Sequence, residues 1–339
     1  MTLLFCDGFD HYATADLSKK YTTVTGSPTI SAAAGRRSTG GLTSGNTQNV
    51  TKTVTATASF VIGAAVIFSA LPGASVAIIS LLDAGTLQCD LRVNVDGTLS
   101  VTRNGTVLTN GTSTHVLVTG SYIEFKVTIA DSIAADSCKV RVNGVDIITV
   151  ATGQDTKNTA NATANQVKLG QAAAGGFGSL VFDDFYICDQ SGSTNNNFLG
   201  DVRIDTIFPN ADGNYLQFTP STGTDHYALV DETTPNTTDY NDGSTVGDRD
   251  SYALQNLTAL TSQTVYGVQV NMAILKDDAG AKSASTMVRS SGTNGDGASA
   301  ALGTSQTYVS QVYETDPNGS IAWTETTVNA MEAGCKVTA

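Results

Sequence analysis

The sequence predicts an all-β chain of two β-sandwich or jelly-roll domains in tandem. Three observations carry that prediction. Asp-Gly and Asn-Gly pairs fall between short alternating runs at positions 96–97, 104–105 and 143–144, and such pairs supply the positive φ that tight hairpin turns need. Of 31 acidic residues only five are Glu, which leaves 26 Asp; Asp belongs to turns and caps, Glu to helix surfaces. The chain is also rich in Thr, Val, Gly and Asn and only 14% charged, a composition that favours strands and turns over solvated helices.

The elements follow in order. Leu3–Cys6 reads as an opening strand, and 49–58 and 59–69 as two more. Phe60 to Leu82 is 23 residues without a charge, long enough to cross a bilayer. Pro72-Gly73 interrupts it, so two buried strands joined by a turn are expected instead, with no membrane insertion. Leu91–Val95 and Thr98–Thr102 form a hairpin about Asp96-Gly97, and Asn104-Gly105 turns the chain again. Tyr122–Ile129 alternates most cleanly, with Ile123, Phe125, Val127 and Ile129 on one face and Glu124, Lys126 and Thr128 on the other. Lys139–Val150 makes a hairpin about Asn143-Gly144, and Phe182–Cys188 closes a first domain over 1–190. Residues 191–200, rich in Ser and Asn, read as a linker.

The second domain, 201–339, opens at Asp201–Phe208. Strands are expected at 225–230, 250–254, 265–275, 285–290 and 306–315. A short helix begins after Trp323 and runs to about Glu332, with Thr324 as its cap, Thr327 at the third position in place of the Glu of a full capping box, and Gly334 as its stop. Gly292 to Gly297 lacks the Lys of a phosphate loop and reads as a surface hairpin loop.

A formal net charge of −13 argues against nucleic acid as a partner, because phosphate neutralisation needs clustered Lys and Arg. The five cysteines, Cys6, Cys89, Cys138, Cys188 and Cys335, form no Cys-x-x-Cys pair and read as free thiols of a protein assembled in a reducing cytoplasm. Residues 1–15 carry Asp7, Asp10 and His11 and lack a basic start, so no secretory leader is expected.

Catalytic residues are not expected. Carboxylates two or four apart on one strand would share a face, yet the one close approach, Glu314-Thr315-Asp316, runs into Pro317-Asn318-Gly319. Asp183 and Asp184 are adjacent and are expected on opposite faces as hydrogen-bond acceptors. His11, His115 and His226 are scattered. Calcium is the one cofactor the residues raise: Asp239, Asn241, Asp242, Asp248 and Asp250 gather hard oxygen ligands in a short span that misses the EF-hand spacing by one position, with a solvated acidic loop as the plain alternative. Tyr12, Tyr215 and Tyr240 are candidates for an exposed glycan-binding platform, with Tyr21 and Phe177 beside them, and core or interface packing is the preferred reading for each.

Phe5-Cys6-Asp7-Gly8-Phe9-Asp10, Val95-Asp96-Gly97, Gly120 to Val127, Arg141 to Val145 and Phe182 to Tyr186 together resemble the concanavalin A-like lectin/glucanase (laminin G-like) jelly roll of phage structural proteins. Gly200 to Arg203, Phe208 to Gly213, Asp248 to Tyr252, Lys276 to Asp278, and Asp316 to Ser320 with Trp323-Thr324 resemble the companion module of tailed-phage virion proteins; here Ile321-Ala322 separate the Gly-Ser turn from Trp323. The resemblance implies that the first and last strands of the first domain pair. It also implies a non-enzymatic virion component, tail-associated in the fibre or adsorption apparatus, assembled in the host cytoplasm. Its partners would be other virion proteins, a symmetric homo-oligomer of itself, and a host surface glycan. A capsid decoration or head-fibre protein and a lectin-like glycan-binding module are the alternatives. Laminin G-like relatives bind calcium, which keeps the ion in view without locating it.

Overall fold

The computed structural model describes residues 3–257 and 263–339 and divides into two units, Met1–Ile204 and Asp205–Ala339. The first holds fifteen strands: β1 (Leu3–Asp7), β2 (Thr23–Thr25), β3 (Thr29–Ser31), β4 (Gly41–Ser44), β5 (Asn49–Thr57), β6 (Ser59–Phe68), β7 (Val76–Asp83), β8 (Thr86–Val93), β9 (Thr98–Arg103), β10 (Thr106–Val116), β11 (Ser121–Thr128), β12 (Cys138–Val142), β13 (Val145–Thr149), β14 (Ala164–Gly170) and β15 (Leu180–Asp189). A one-turn helix, α1 (Leu17–Lys20), follows the first strand.

These strands form two antiparallel sheets. One runs β13-β12-β11-β6-β15-β4-β3 with β1 also on β15; the other runs β10-β9-β8-β7-β14-β5-β2. The alternation of β11 sets the core: Ile123, Phe125 and Val127 lie opposite Ala64, Ile62 and Phe60 of β6, all fully buried. In the second sheet Ile79, Leu91, Val101 and Leu169 line up across four strands and are equally buried. Closing these apolar faces on each other is what makes the sandwich stable, at roughly 2 kcal/mol for each large side chain taken out of water. β1 pairs with β15, Phe5 opposite Ile187 and Asp7 opposite Phe185, so the ends of the unit meet as the jelly-roll pattern implied.

The hairpins turn where expected. Asn104 and Gly105 take φ of 46° and 83°, and Asn143 and Gly144 take 49° and 80°. Ala84-Gly85, at 45° and 90°, makes the same turn between β7 and β8 with a dipeptide that carries no Asn or Asp signal. The charge-free run 60–82 spans most of β6, the turn at 69–75 and most of β7. Cys89, Cys138, Cys188 and Cys335 are buried free thiols and Cys6 is half-buried.

In the second unit the strands are β16 (Pro209–Leu216), β17 (Thr219–Pro220), β18 (Asn241–Asp242), β19 (Arg249–Leu254), β20 (Val268–Ile274), β21 (Ser283–Ser290), β22 (Thr293–Asp296), β23 (Ala300–Ala301), β24 (Thr307–Tyr313), β25 (Thr315–Asp316), β26 (Ile321–Ala322) and β27 (Glu332–Val337). A sheet ordered β16-β19-β27-β21-β22, with β23 on β21, is layered against the two-stranded β20–β24 ribbon. Val270, Val288, Trp323, Val328, Met331 and Ala333 form the core between them, and the Trp323 indole donates to the Tyr313 carbonyl at 2.9 Å.

Three local expectations are corrected here. Tyr227–Leu229 is a single 3-10 turn rather than part of a strand. The helix α2 (Glu325–Asn329) has a reciprocal cap after all: Thr324 accepts from the Thr327 amide, and the Thr327 hydroxyl accepts from the Thr324 amide. Thr at the third position thus does what Glu would do. Gly334 does not end the helix but lies inside β27, where the neighbouring strand leaves no room for a side chain.

Candidate functional site

Two polar faces collect the chemistry of the chain, one in each unit. In the first unit, Tyr122 and Glu124 project from β11 away from the core. Glu124 pairs with Gly63 of β6, which pairs in turn with Tyr186 of β15. A Cβ on Gly63 would lie 2.2 Å from Tyr186 Cε1, so only glycine lets the Tyr122 and Tyr186 rings face each other across that strand, centroids 6.5 Å apart. The Tyr186 hydroxyl donates to Glu124 Oε1 at 2.6 Å, and the Gly200 amide donates to the same oxygen at 2.8 Å. Glu124 Oε2 is buried without a hydrogen-bond partner.

Beside this pair β15 is bulged between Asp183 and Tyr186, with Asp184 at φ 50°, a conformation short polar side chains tolerate. The bulge overturns the expectation that Asp183 and Asp184 point apart, because both converge on Arg36. The Arg36 amide donates to Asp183 Oδ2 at 2.6 Å, and its guanidinium donates through Nε and Nη2 to Asp184 Oδ2 at 2.9 and 2.6 Å. Burial, and then the charge of Asp184, pushes the Asp183 carboxyl up to about 7.

Residues 198–204 close this face. The Arg141 guanidinium lies 4.1 Å from the Phe198 ring centroid. Arg36 reaches Asp201 Oδ1 and the Val202 carbonyl, each at 2.5 Å, and the Ile204 amide donates to Asp184 Oδ1 at 2.7 Å. Arg36 is the residue sequence reasoning missed: nothing in its neighbourhood marks a side chain whose partners lie about 150 positions away.

The five proposed calcium ligands do not converge. Asp250 is fully buried; its Oδ1 accepts from the Phe218 amide at 3.0 Å, and its Oδ2 meets His226 Nδ1 at 2.7 Å and the Tyr252 hydroxyl at 3.2 Å. Asn241 turns its amide to the His226 carbonyl and Tyr252. Asp242 is exposed on β18, the Asp248 backbone is bonded to Thr245 and Val337, and Asp239 sits beside Glu232, whose carboxyl is raised by burial and then by Asp239. Among the described residues no three His, Cys, Asp or Glu side chains are placed to hold a metal. Asp250 in particular is taken up by a buried hydrogen-bond network.

The aromatic candidates separate in the same way. Tyr12 is 3% exposed, drawn inside because its hydroxyl donates to Asp7; Tyr21 and Phe177 are buried too. Tyr240 is exposed, its backbone tied to Ser221. Tyr215 lies on a polar sheet face. The Arg249 and Arg289 guanidiniums stand 5.7 and 5.9 Å from its ring centroid, and its hydroxyl accepts from Asn294 at 2.9 Å. That bond, with the two cations, holds the phenol below its ordinary value. Asp296 bridges Arg249 and Lys336, and Glu332 faces Arg289 at 3.4 Å. An aromatic ring rimmed by fixed donors and acceptors can take the apolar face of a sugar and hydrogen-bond its hydroxyls, and the arginines suit a carboxylate.

No family model and no curated protein matches the chain. Among solved structures it is similar to the cellulose induced protein Cip1, at 16% identity and a TM-score of 0.36 over 47% of this chain and 84% of that one. It is similar to a Trypanosoma rangeli sialidase in complex with 2,3-difluoro-KDN, at 11% and 0.35 over 55% of this chain and 30% of that one. It is similar to alginate lyase Aly36B, at 9% and 0.31 over 47% and 82%. No activity or ligand follows for this chain from likenesses of that size.

Proposed function

We propose that this chain is a non-enzymatic structural protein of a tailed-phage virion, tail-associated, whose β-sandwich units pack against copies of itself and against neighbouring virion proteins. One observation carries the non-enzymatic part. The outer face of the first sandwich, which gathers Glu124, Asp183 and Asp184, is covered by the chain's own residues 198–204, and these carboxylates bond to Arg36, Tyr186 and backbone amides. A hydrolase would need such groups open to substrate. The motif order described above supports the virion assignment, and the buried free thiols suit assembly in a reducing host cytoplasm. Exposed Val95, Val116 and Val118, with Leu71, around the Asp96-Gly97 turn suit packing against a second copy.

Immunogold electron microscopy of intact particles of the encoding phage tests this. Label on the tail is the expected result. Label spread over the head would favour the capsid decoration alternative, and particles without label, or turnover of any polysaccharide in a panel, would overturn the proposal.

A second reading, host-glycan recognition in the manner of a lectin, is favoured by the Tyr215 face. It predicts binding on a glycan array that Tyr215→Ala abolishes while the thermal midpoint stays within a few degrees. Array signal unchanged by that substitution would remove Tyr215 from the reading.

A further inference from the structure

The strand β1, the loop after it and α1 bury a charged cluster that neither polar face uses. Lys20 Nζ lies 3.2 Å from Asp7 Oδ1, with both side chains fully excluded from water. The Tyr12 and Tyr21 hydroxyls donate to the other oxygen, Asp7 Oδ2, at 2.7 and 2.8 Å. His11 Nε2 stands 2.5 Å from Lys20 Nζ. The Lys20 ammonium also faces the rings of Tyr12 and Phe5 at 4.9 and 5.6 Å. A second cation, Lys52, donates to the Lys20 carbonyl at 3.0 Å.

We infer that Lys20 and Asp7 condense within the folded protein to an intramolecular isopeptide bond, with His11 as proton carrier and Tyr12 and Tyr21 as the oxyanion donors. The parts needed for amide formation are gathered within hydrogen-bond reach of one another. An amine and a carboxyl group held in contact reach effective concentrations of about 10⁵ M or more. Burial disfavours both charges, but at Asp7 the neighbouring Lys20 and the Phe9 and Tyr12 donors outweigh it and hold the carboxyl below its ordinary value, so the opening proton transfer is uphill and the enforced contact must drive the step. Burial lowers the basicity of Lys20 and keeps His11 neutral at ordinary pH, at about 3, so the ring can accept a proton.

The step balances without a co-reactant. A proton passes from the ammonium to the carboxylate, giving RNH2 and RCOOH. The Nζ lone pair attacks Asp7 Cγ, and negative charge develops on Oδ2, where the two tyrosine hydroxyls already point. Nζ gives a proton to His11 Nε2. The Cγ–Oδ1 bond then breaks, and the hydroxyl leaves with that proton as water. Oδ2 becomes the amide oxygen, still accepting from Tyr12 and Tyr21, and His11 is neutral again. A buried ion pair is thereby exchanged for a neutral amide, beside a second lysine that no longer faces a like charge.

Mass spectrometry of the purified full chain tests the inference. The expected intact mass is lower than that of the sequence by one water molecule. Trypsin should release residues 1–19 joined to residues 20–36, because acylated Lys20 is no longer a cleavage site. Loss of water alone is not sufficient, since Asp7-Gly8 and other Asp-Gly pairs can cyclise to succinimides; the joined peptide, stable to mild base, distinguishes the two. In Asp7→Asn the leaving group becomes ammonia, so that variant should lose one ammonia instead, and Lys20→Arg should give no joined peptide. Folded wild-type protein, shown to be folded by protease resistance, that yields unjoined 1–19 and cleavage after Lys20 would overturn the inference whatever the variants do.

Discussion

The carboxyl group of Asp183 makes the stability of the first unit fall as pH rises through the acid and neutral range. Burial first, and the neighbouring Asp184 second, raise it from 3.8 to about 7 in the folded chain, and its side chain is 1% exposed. The sign follows from which state binds the proton more tightly. Below the unfolded value both states are protonated and the group costs the fold nothing. Between the two values the unfolded chain ionises while the native carboxyl stays protonated, so equilibrium is drawn toward unfolding. Above about 7 both are ionised and the full penalty remains. A shift of roughly three units, at about 1.4 kcal/mol each, makes that penalty on the order of 4 kcal/mol.

Asp183→Asn keeps the shape and cannot ionise; its amide group must face either the Arg36 or the Asp184 backbone N–H, which now donate to Oδ2 and Oδ1, a cost that does not change with pH. The difference in stability between variant and wild type cancels every other titrating group. It should rise in the variant's favour by roughly 4 kcal/mol between about pH 4 and pH 8. Trp323, the single tryptophan, belongs to the second unit and cannot report on this one. Pulse proteolysis across a urea series, reading fragments of the first unit, supplies the local midpoint. A difference that stays flat from pH 4 to 8 would refute the reasoning, because it would mean that Arg36 and the backbone donors hold the native carboxylate ionised throughout.

Other perturbations follow from the same geometry. Gly334→Ala would place a Cβ 1.9 Å from the Asp250 carbonyl oxygen and 2.8 Å from Ser251 Cα; backbone cannot yield cheaply, so the second unit should lose about 3 kcal/mol or more, read as a lower urea midpoint of Trp323 emission. Asp296, held down to about 2 by its bonds to Arg249 and then Lys336, contributes stability that is present above the ordinary carboxylate value and lost as pH falls through about 2. Asp296→Asn should therefore lie below wild type at neutral pH, by less than about 1 kcal/mol for so exposed a group, and match it in strong acid. Phe198→Ala removes the ring that stacks on Arg141, a loss of about 1 kcal/mol, and should speed hydrogen exchange of the Gly200 amide, whose acceptor is Glu124.

The sequence made legible what depends on neighbours a few positions away. Alternation in β11, the Asn-Gly turns and the interrupted apolar run at 60–82 each state a local preference that tertiary packing then confirms. What it concealed depends on distant partners or on a departure from strand periodicity. Asp183 and Asp184 were expected to diverge because successive strand residues do; the bulge adds a residue, and the pair converges on an arginine that no spacing could connect to them. The calcium ligands looked plausible because acidic residues crowd positions 239–250, but proximity along the chain is not proximity of oxygens once β19 takes Asp250 into the interior. Tyr12 reads from the sequence as a loop aromatic with core packing preferred, and the buried Asp7 carboxylate, which accepts from its hydroxyl, holds it inside.

What the sequence concealed has one physical setting, the burial of charged groups. A chain with only 14% charged residues has few ions to place on its surface, yet it buries Asp7, Lys20, Asp183, Asp184, Glu124 and Asp250. Each buried charge costs several kcal/mol unless partnered with good geometry, so stability alone does not explain why so many are kept. Glu124 and Asp184 accept from the Gly200 and Ile204 amides, and Asp183 and Asp184 accept from Arg36, which fixes where the first sandwich ends and how its last strand is covered. At Asp7 and Lys20 they fix the first strand against α1. Both sets secure the two ends of one sandwich, where β1 and β15 pair. Replacing Arg36 and Asp184 together by apolar residues of similar volume should therefore leave the sandwich folded while loosening residues 198–204, read as faster hydrogen exchange of the Gly200 and Ile204 amides.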